Sequence, residues 1–153
     1  PDMGPATDFT VLSVSSNNTA NSDKGIVCTG FANVSWTLHN DSSSDKNLAK
    51  AIVSSTAYES DLLAQQNTSN QKLISSVCKA NRDMVGYFNG TIQNTVAYSG
   101  NFYNFALRLG VKNGTALSDN LNGTIQEIII FDGDQTSEMT DIHADINTKY
   151  SIY

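Results

Sequence analysis

The closing stretch, Leu121 to Tyr153, constrains this chain most. It opens on Asn122-Gly123, a tight-turn dipeptide, and runs into the β-rich segment Thr124 to Phe131. Asn-Gly is a strong turn signal because both residues tolerate positive φ. A polar break, Asp132 to Gln135, then leads into one amphipathic segment, for which the spacing predicts a helix over 136–149. Met139, Ile142, Ile146 and Tyr150 recur at helical spacing and form one apolar stripe. Asp134 or Thr136 is placed to cap its start. Glu138 and Asp141 near the start and Lys149 near the end suit the helix dipole. A stripe of this kind must pack on a face or edge of the rest of the molecule.

The rest reads as β. Runs rich in β-branched and aromatic residues recur between turn signals, the pattern of a sandwich or barrel. The expected strands are 8–14, 25–31, 33–39, 49–55, 72–80, 84–88, 91–97, 105–111 and 124–131. Tyr58 to Leu63 reads as a further strand or a short helical turn. Asn67 to Gln71 reads as loop. Asn89-Gly90 sits between Met84–Phe88 and Thr91–Ala97, an arrangement that predicts a type I′ hairpin. With 153 residues the chain is long enough for one domain with a real core. The expected boundaries are a tail over 1–7, which holds both prolines, and one domain over 8–153.

Composition excludes several functions. Charged residues make up 16% and the net charge is −6, with the nine Lys and Arg residues scattered. Nucleic acid and anionic membranes both require a basic footprint, so neither is an expected partner. No apolar run approaches the ~20 residues of a membrane-spanning helix, and no signal peptide is visible. Ser, Thr and Asn together supply roughly a third of the chain, which suits turns and solvated strand faces. The first residue is Pro1 rather than Met, which is expected of a processed product or a piece of a longer polypeptide.

Cys28 and Cys78 lie 50 positions apart inside apolar runs. With no C-x-x-C, zinc and thioredoxin-type chemistry are not supported. Two free buried thiols are expected, with a disulfide as the alternative if the two strands prove to be neighbours. Of the two histidines, His39 ends a strand and His143 lies beside the helix stripe. Neither has metal or triad spacing, and both are expected at the surface or in capping roles. Trp36 is expected in the core. Seven Asn-x-Ser/Thr sequons begin at Asn17, Asn33, Asn40, Asn67, Asn89, Asn113 and Asn122. Three of them are Asn-Gly-Thr, where the turn already accounts for Asn-Gly, so glycosylation is not the favoured reading.

The closing segment resembles the C-terminal motif of concanavalin A-like, laminin-G-like jelly rolls. Those domains end in a Gly-x-Ile-x-Glu-Ile-Ile-hydroxyaromatic strand, a short loop, an acidic helix and Lys-Tyr-Gly-Ile. Here the match is Gly123-Thr-Ile-Gln-Glu-Ile-Ile-Ile-Phe131, then the helix, then Lys149-Tyr150-Ser151-Ile152, with Ser151 in place of Gly. Asp8-Phe9-Thr10-Val11, Val85-Gly-Tyr-Phe-Asn-Gly90 and Leu107-Arg-Leu-Gly110 resemble other strands of that family in the same order. The resemblance implies an all-β fold: a two-sheet antiparallel jelly-roll sandwich with one C-terminal α-helix. It also implies one more strand ahead of Asp8 than this chain contains, hence a longer parent protein.

Domains that end in such a helix are found in phage virion and bacterial surface proteins, where the implied role is adhesion, often to glycans. The expected function is a non-enzymatic structural or adhesion module, on a virion or on an extracellular or bacterial cell surface. It would bind host-surface glycans weakly and multivalently, beside other virion or surface subunits in an oligomer. The alternatives are a purely architectural decoration or fibre domain and, less favoured, a glycoside hydrolase or lyase. A hydrolase needs paired carboxylates. Glu127 has none at i+2 or i+4 and is expected instead to be hydrogen-bonded or ion-paired at a sheet edge.

Sugar binding needs an aromatic platform beside amides and hydroxyls. The loop from Tyr98 to Asn104 is the richest such stretch, so Tyr98, Asn101, Tyr103 and Asn104 are the candidate carbohydrate-binding residues, with loop anchoring as the alternative role for its aromatics. No cofactor is expected. Calcium, which many members of the superfamily bind near loops, would have Asp132 and Asp134 as candidate ligands, although Asp134 is also explained as a cap.

Overall fold

In the computed structural model the strand that follows Asp8 is buried along its whole length, and the reason is its place in the molecule. The structure describes residues 8–18, 24–31, 34–41, 46–53, 56–65, 70–79, 83–98, 107–111 and 120–153. The expected tail over 1–7 lies outside them. The strands are β1 (Phe9–Asn17), β2 (Lys24–Phe31), β3 (Val34–Asp41), β4 (Lys46–Val53), β5 (Thr56–Gln65), β6 (Lys72–Cys78), β7 (Asp83–Phe88), β8 (Thr91–Ala97), β9 (Leu107–Leu109) and β10 (Gly123–Asp132). The helix α1 (Met139–Tyr150) closes the order. Two five-stranded antiparallel sheets result, β10-β1-β6-β7-β8 and β5-β4-β3-β2-β9. This is the expected two-sheet jelly-roll sandwich with one C-terminal helix. Tyr58 to Leu63 is strand, within β5.

Alternation along β1 explains its burial. Phe9 and Val11 point between the sheets, while Leu12 and Val14 point to the other face, which α1 covers. The molecule therefore has three layers and two cores. The inter-sheet core holds Trp36, Leu38, Ile26, Val27, Ile74 and Met84 around Phe9. Phe9 and Trp36 meet edge to face, with ring centroids 5.4 Å apart. Beneath the helix, Leu73, Val77, Val85 and Tyr87 receive Met139 and Ile146, with Ile142 and Tyr150 packed at the margin. The whole predicted stripe thus faces the sheet. Each such side chain contributes about 1.5–3 kcal/mol when fully buried.

Two glycines show different constraints. Asn89 and Gly90 have φ of 44° and 78°, the left-handed pair of the predicted hairpin turn. Asn122-Gly123 is not such a turn, because neither residue has positive φ. Gly123 is instead paired opposite Asn17, where an added Cβ would lie 2.0 Å from the Ser16 carbonyl oxygen. Close strand approach, not turn geometry, requires glycine there.

The helix starts later than its spacing suggests. Asp134 Oδ1 accepts the Thr136 N–H at 2.8 Å and thus caps the turn that leads into α1. The helix's own N-cap residue, Glu138, makes no side-chain cap bond. At the other end Ser151 sits in the left-handed region, with φ 50° and ψ 54°. That conformation is why the resembled motif carries Gly at this place, and a non-glycine residue there costs about 1–2 kcal/mol.

Both histidines are buried, against the surface expectation. His39 lies on β3, the central strand of its sheet, where a side chain has neighbours on either hand. His143 follows Met139 by four residues and shares the docked face of α1. Cys28 and Cys78 are free and buried, on different sheets. Burial pushes the Cys78 thiol up to about 12. Among the described residues no helix is long and apolar enough to cross a membrane.

Candidate functional site

The β7–β8 turn and the exposed flank of α1 enclose an open cleft of about 460 Å³, a volume within the usual range for small-molecule sites. The turn supplies Asn89, Gly90 and Thr91. The helix supplies Thr140, Ala144, Asn147 and Thr148, which fall at helical spacing on one flank. His143 lies at the bottom and Tyr153 at the side.

Each part is held by identifiable bonds. Asn89 is pinned to β6 twice: its N–H donates to the Leu73 carbonyl at 2.8 Å, and its Oδ1 accepts the Leu73 N–H at 3.0 Å. That pairing fixes the turn and leaves the Asn89 amide NH₂ as a donor. Asn147 clamps the tail. Its Oδ1 accepts the N–H groups of Ile152 and Tyr153 at 2.8 and 2.9 Å, and its Nδ2 donates to the Tyr153 carbonyl at 2.7 Å. The clamp, together with the left-handed Ser151, turns Tyr153 back toward the hairpin. The Tyr153 hydroxyl reaches the His143 carbonyl at 3.4 Å, and Gly90 lies so close that a Cβ there would be 2.4 Å from that hydroxyl. Tyr153 is nonetheless 53% exposed. The result is a fixed aromatic ring with an open surface, beside threonine hydroxyls and an amide.

His143 fixes the helix to the sheet beneath this cleft. Its Nε2 and Ser75 Oγ are 2.7 Å apart, and its ring meets the Tyr87 ring at a centroid distance of 5.3 Å. Burial pushes its pKa down to about 4, opposed by the Gly90 backbone, so the ring is neutral near pH 7. Ser75 is itself completely buried, so the Ser–His contact is a docking bond, not an accessible nucleophile and base.

The sequence-predicted positions fare differently. Tyr98 is 5% exposed, donates its hydroxyl to the Lys79 carbonyl at 2.7 Å and packs near Tyr58. It is a core anchor rather than an exposed platform, because it directly follows β8 where the strand end meets the inter-sheet core. Asn101, Tyr103 and Asn104 lie outside the described residues. Of the calcium candidates, Asp134 is engaged by Lys79 at 3.0 Å and by Thr136, interactions that lower its pKa against the effect of its burial. Asp132 is exposed on the edge strand. Among the described residues no group of three or more His, Cys, Asp or Glu side chains could hold a metal ion. Glu127, on that same edge strand, pairs with Lys149 at 3.0 Å, the structural role expected of it. Asn17, the first sequon, is buried, so its side chain is not presented for modification.

The cleft was not visible in the sequence. His143 could have been found, since it stands four residues after Met139 and three before Ile146 on the docked face. Tyr153 carries no periodic signal, because it lies beyond the helix.

No family model matches the chain. No curated protein matches it either. Solved structures do. The chain is similar to domain 4 of AbnA, an extracellular GH43 arabinanase of Geobacillus stearothermophilus, in complex with arabinotriose. That match has 16% identity and a TM-score of 0.74, and covers 94% of this chain and 70% of that one. It is similar to a botulinum neurotoxin type C structure whose cell entry depends on two ganglioside molecules, at 14% identity and TM-score 0.70, over 92% of this chain and 36% of the other. It is also similar to the heptameric SAP-like pentraxin of Limulus polyphemus, at 11% identity and TM-score 0.70, over 93% and 71%. The chain thus spans about a third of the length of the neurotoxin structure it matches. Likeness at these identities establishes the fold: a jelly-roll sandwich of the concanavalin A-like type.

Proposed function

We propose that this chain is a non-enzymatic glycan-binding module, displayed on a phage virion or bacterial surface as part of a longer protein. Each copy holds its ligand weakly, and many copies together give avidity. The observation that carries this reading is the cleft: a fixed, half-exposed tyrosine beside threonine hydroxyls and an asparagine amide. Arabinotriose on the arabinanase domain and gangliosides for the neurotoxin give the fold two precedents for carbohydrate ligands, and the heptameric pentraxin gives one for multiple display. The non-enzymatic reading is supported by Glu127, whose carboxylate is ion-paired and whose strand neighbours at i+2 and i+4 are Ile129 and Phe131. The module is proposed to need no cofactor, so a chelator should leave binding unchanged.

The test is a glycan array probed with the chain displayed multivalently. Retention that Tyr153→Ala abolishes locates the site in the cleft, and retention that Tyr103→Ala abolishes locates it in the 98–104 loop. Failure to retain any glycan at high valency favours an architectural module without a ligand. Turnover of a polysaccharide would overturn the non-enzymatic assignment.

A further inference from the structure

We propose that the cleft between the Asn89-Gly90 turn and α1 is a subsite for an uncharged saccharide, whose ring stacks on Tyr153 and whose hydroxyls exchange hydrogen bonds with Thr91, Thr140 and Thr148. The proposal rests on the glycan-binding reading and adds the chemistry of the ligand.

Three observations carry it. The first is a platform set before any ligand arrives. Asn147 holds the Tyr153 backbone by two hydrogen bonds and that of Ile152 by a third, and the bare Gly90 leaves room for the ring to lie against the turn. A ring already ordered loses little entropy on binding. Its face carries the negative part of the aromatic quadrupole and is suited to the C–H face of a sugar.

The second is the kind of polar group beside it. Thr91 and Thr140 are solvent-exposed, and Thr148 donates its hydroxyl to the Ala144 carbonyl at 2.9 Å, which leaves its oxygen able to accept. Hydroxyls both donate and accept, as sugar hydroxyls do.

The third is charge. Apart from His143 the lining, among the described residues, has no ionisable side chain but the Tyr153 phenol, whose burial raises its pKa. His143 is itself committed to Ser75. The nearest carboxylates on the helix, Asp141 and Asp145, adjoin Thr140 and Ala144 and are exposed. The nearest helix cation, Lys149, is held by Glu127. A carboxylate or sulfate placed in the cleft would lose water without gaining a counter-charge from the described lining. Sialylated, uronic and sulfated sugars should therefore be excluded.

The experiment compares an array of neutral gluco-, galacto-, manno- and arabino-oligosaccharides with the same backbones carrying a terminal sialic or uronic acid. It is probed with the full chain and with two variants, Tyr153→Ala and Thr140→Arg. Thr140 is exposed, so its replacement does not touch the core, and far-UV circular dichroism confirms the fold of both variants. The expected result is retention of neutral glycans over their acidic counterparts by at least about tenfold. Tyr153→Ala should lose that retention, and Thr140→Arg should weaken neutral binding and gain acidic binding. Preference for acidic glycans, or neutral binding that survives both variants, overturns the subsite while leaving the glycan-binding function standing. Binding to no glycan overturns both.

Discussion

The two faces of the sheet β10-β1-β6-β7-β8 teach different lessons. The face toward the second sheet is closed by large apolar side chains, with Trp36 and Phe9 edge to face at its centre. The face toward α1 is also apolar, but a polar seam crosses it. His143 bonds Ser75 there, and the seam opens at the helix flank into the cleft. The first interface makes the sandwich. The second attaches one element to it, through contacts that are fewer and partly polar. The same sheet therefore serves as a structural wall on one side and as the support of a candidate site on the other.

The widest test of that contrast is Trp36→Ala. Removing a fully buried indole from the inter-sheet core should cost about 3–5 kcal/mol and lower the denaturant midpoint of the whole molecule. Ile146→Ala should cost about 2–4 kcal/mol, with the loss concentrated in the helix layer. Amide hydrogen exchange should show α1 deprotected while β3 and β4 keep their protection. Equal deprotection of both layers would mean that the cores are one cooperative unit.

Acid offers a third and smaller probe. His143 has a pKa of about 4 in the folded protein, against 6.5 for the unperturbed side chain. Between these values the unfolded chain binds a proton that the folded chain does not. Stability is therefore complete above about pH 6.5, falls as the pH is lowered toward 4, and loses nothing further from this group below that. The total loss is about 3 kcal/mol at most. His143→Gln should flatten the pH dependence of the unfolding midpoint in this window, and an unchanged slope would remove His143 as its source. The smallest effect is expected from Lys149→Ala. It breaks the helix–strand ion pair with Glu127, but at a solvent-exposed ammonium, so the unfolding midpoint should not move measurably.

Much of the fold was legible before any coordinates. Alternation and turn residues marked every strand but β5, whose residues read as either strand or helical turn, and Asn89-Gly90 forms the left-handed turn its composition demanded. The stripe of Met139, Ile142, Ile146 and Tyr150 docks as its spacing required. Local patterns of this kind read well because they are set by periods of two and 3.6 residues within a short window. Other residues were misread because their roles depend on neighbours distant in sequence. His39 is buried by lying on the central strand of its sheet, a property of strand order. Tyr98 is drawn into the core by its contact with the Lys79 carbonyl. Gly123 is needed because β10 runs against Ser16, not because it turns.

The amino-acid sequence by itself determined the element types, the closing helix and the face by which that helix binds. Only the tertiary structure decided that this helix lies across the sheet so that its other flank meets the Asn89-Gly90 turn. Only there do Tyr153 and Gly90 come together, and with them the cleft. The physical reason is that periodicity tells a side chain which way to point along its own element. What it meets is fixed by how the layers pack, and that information belongs to no single segment of the chain.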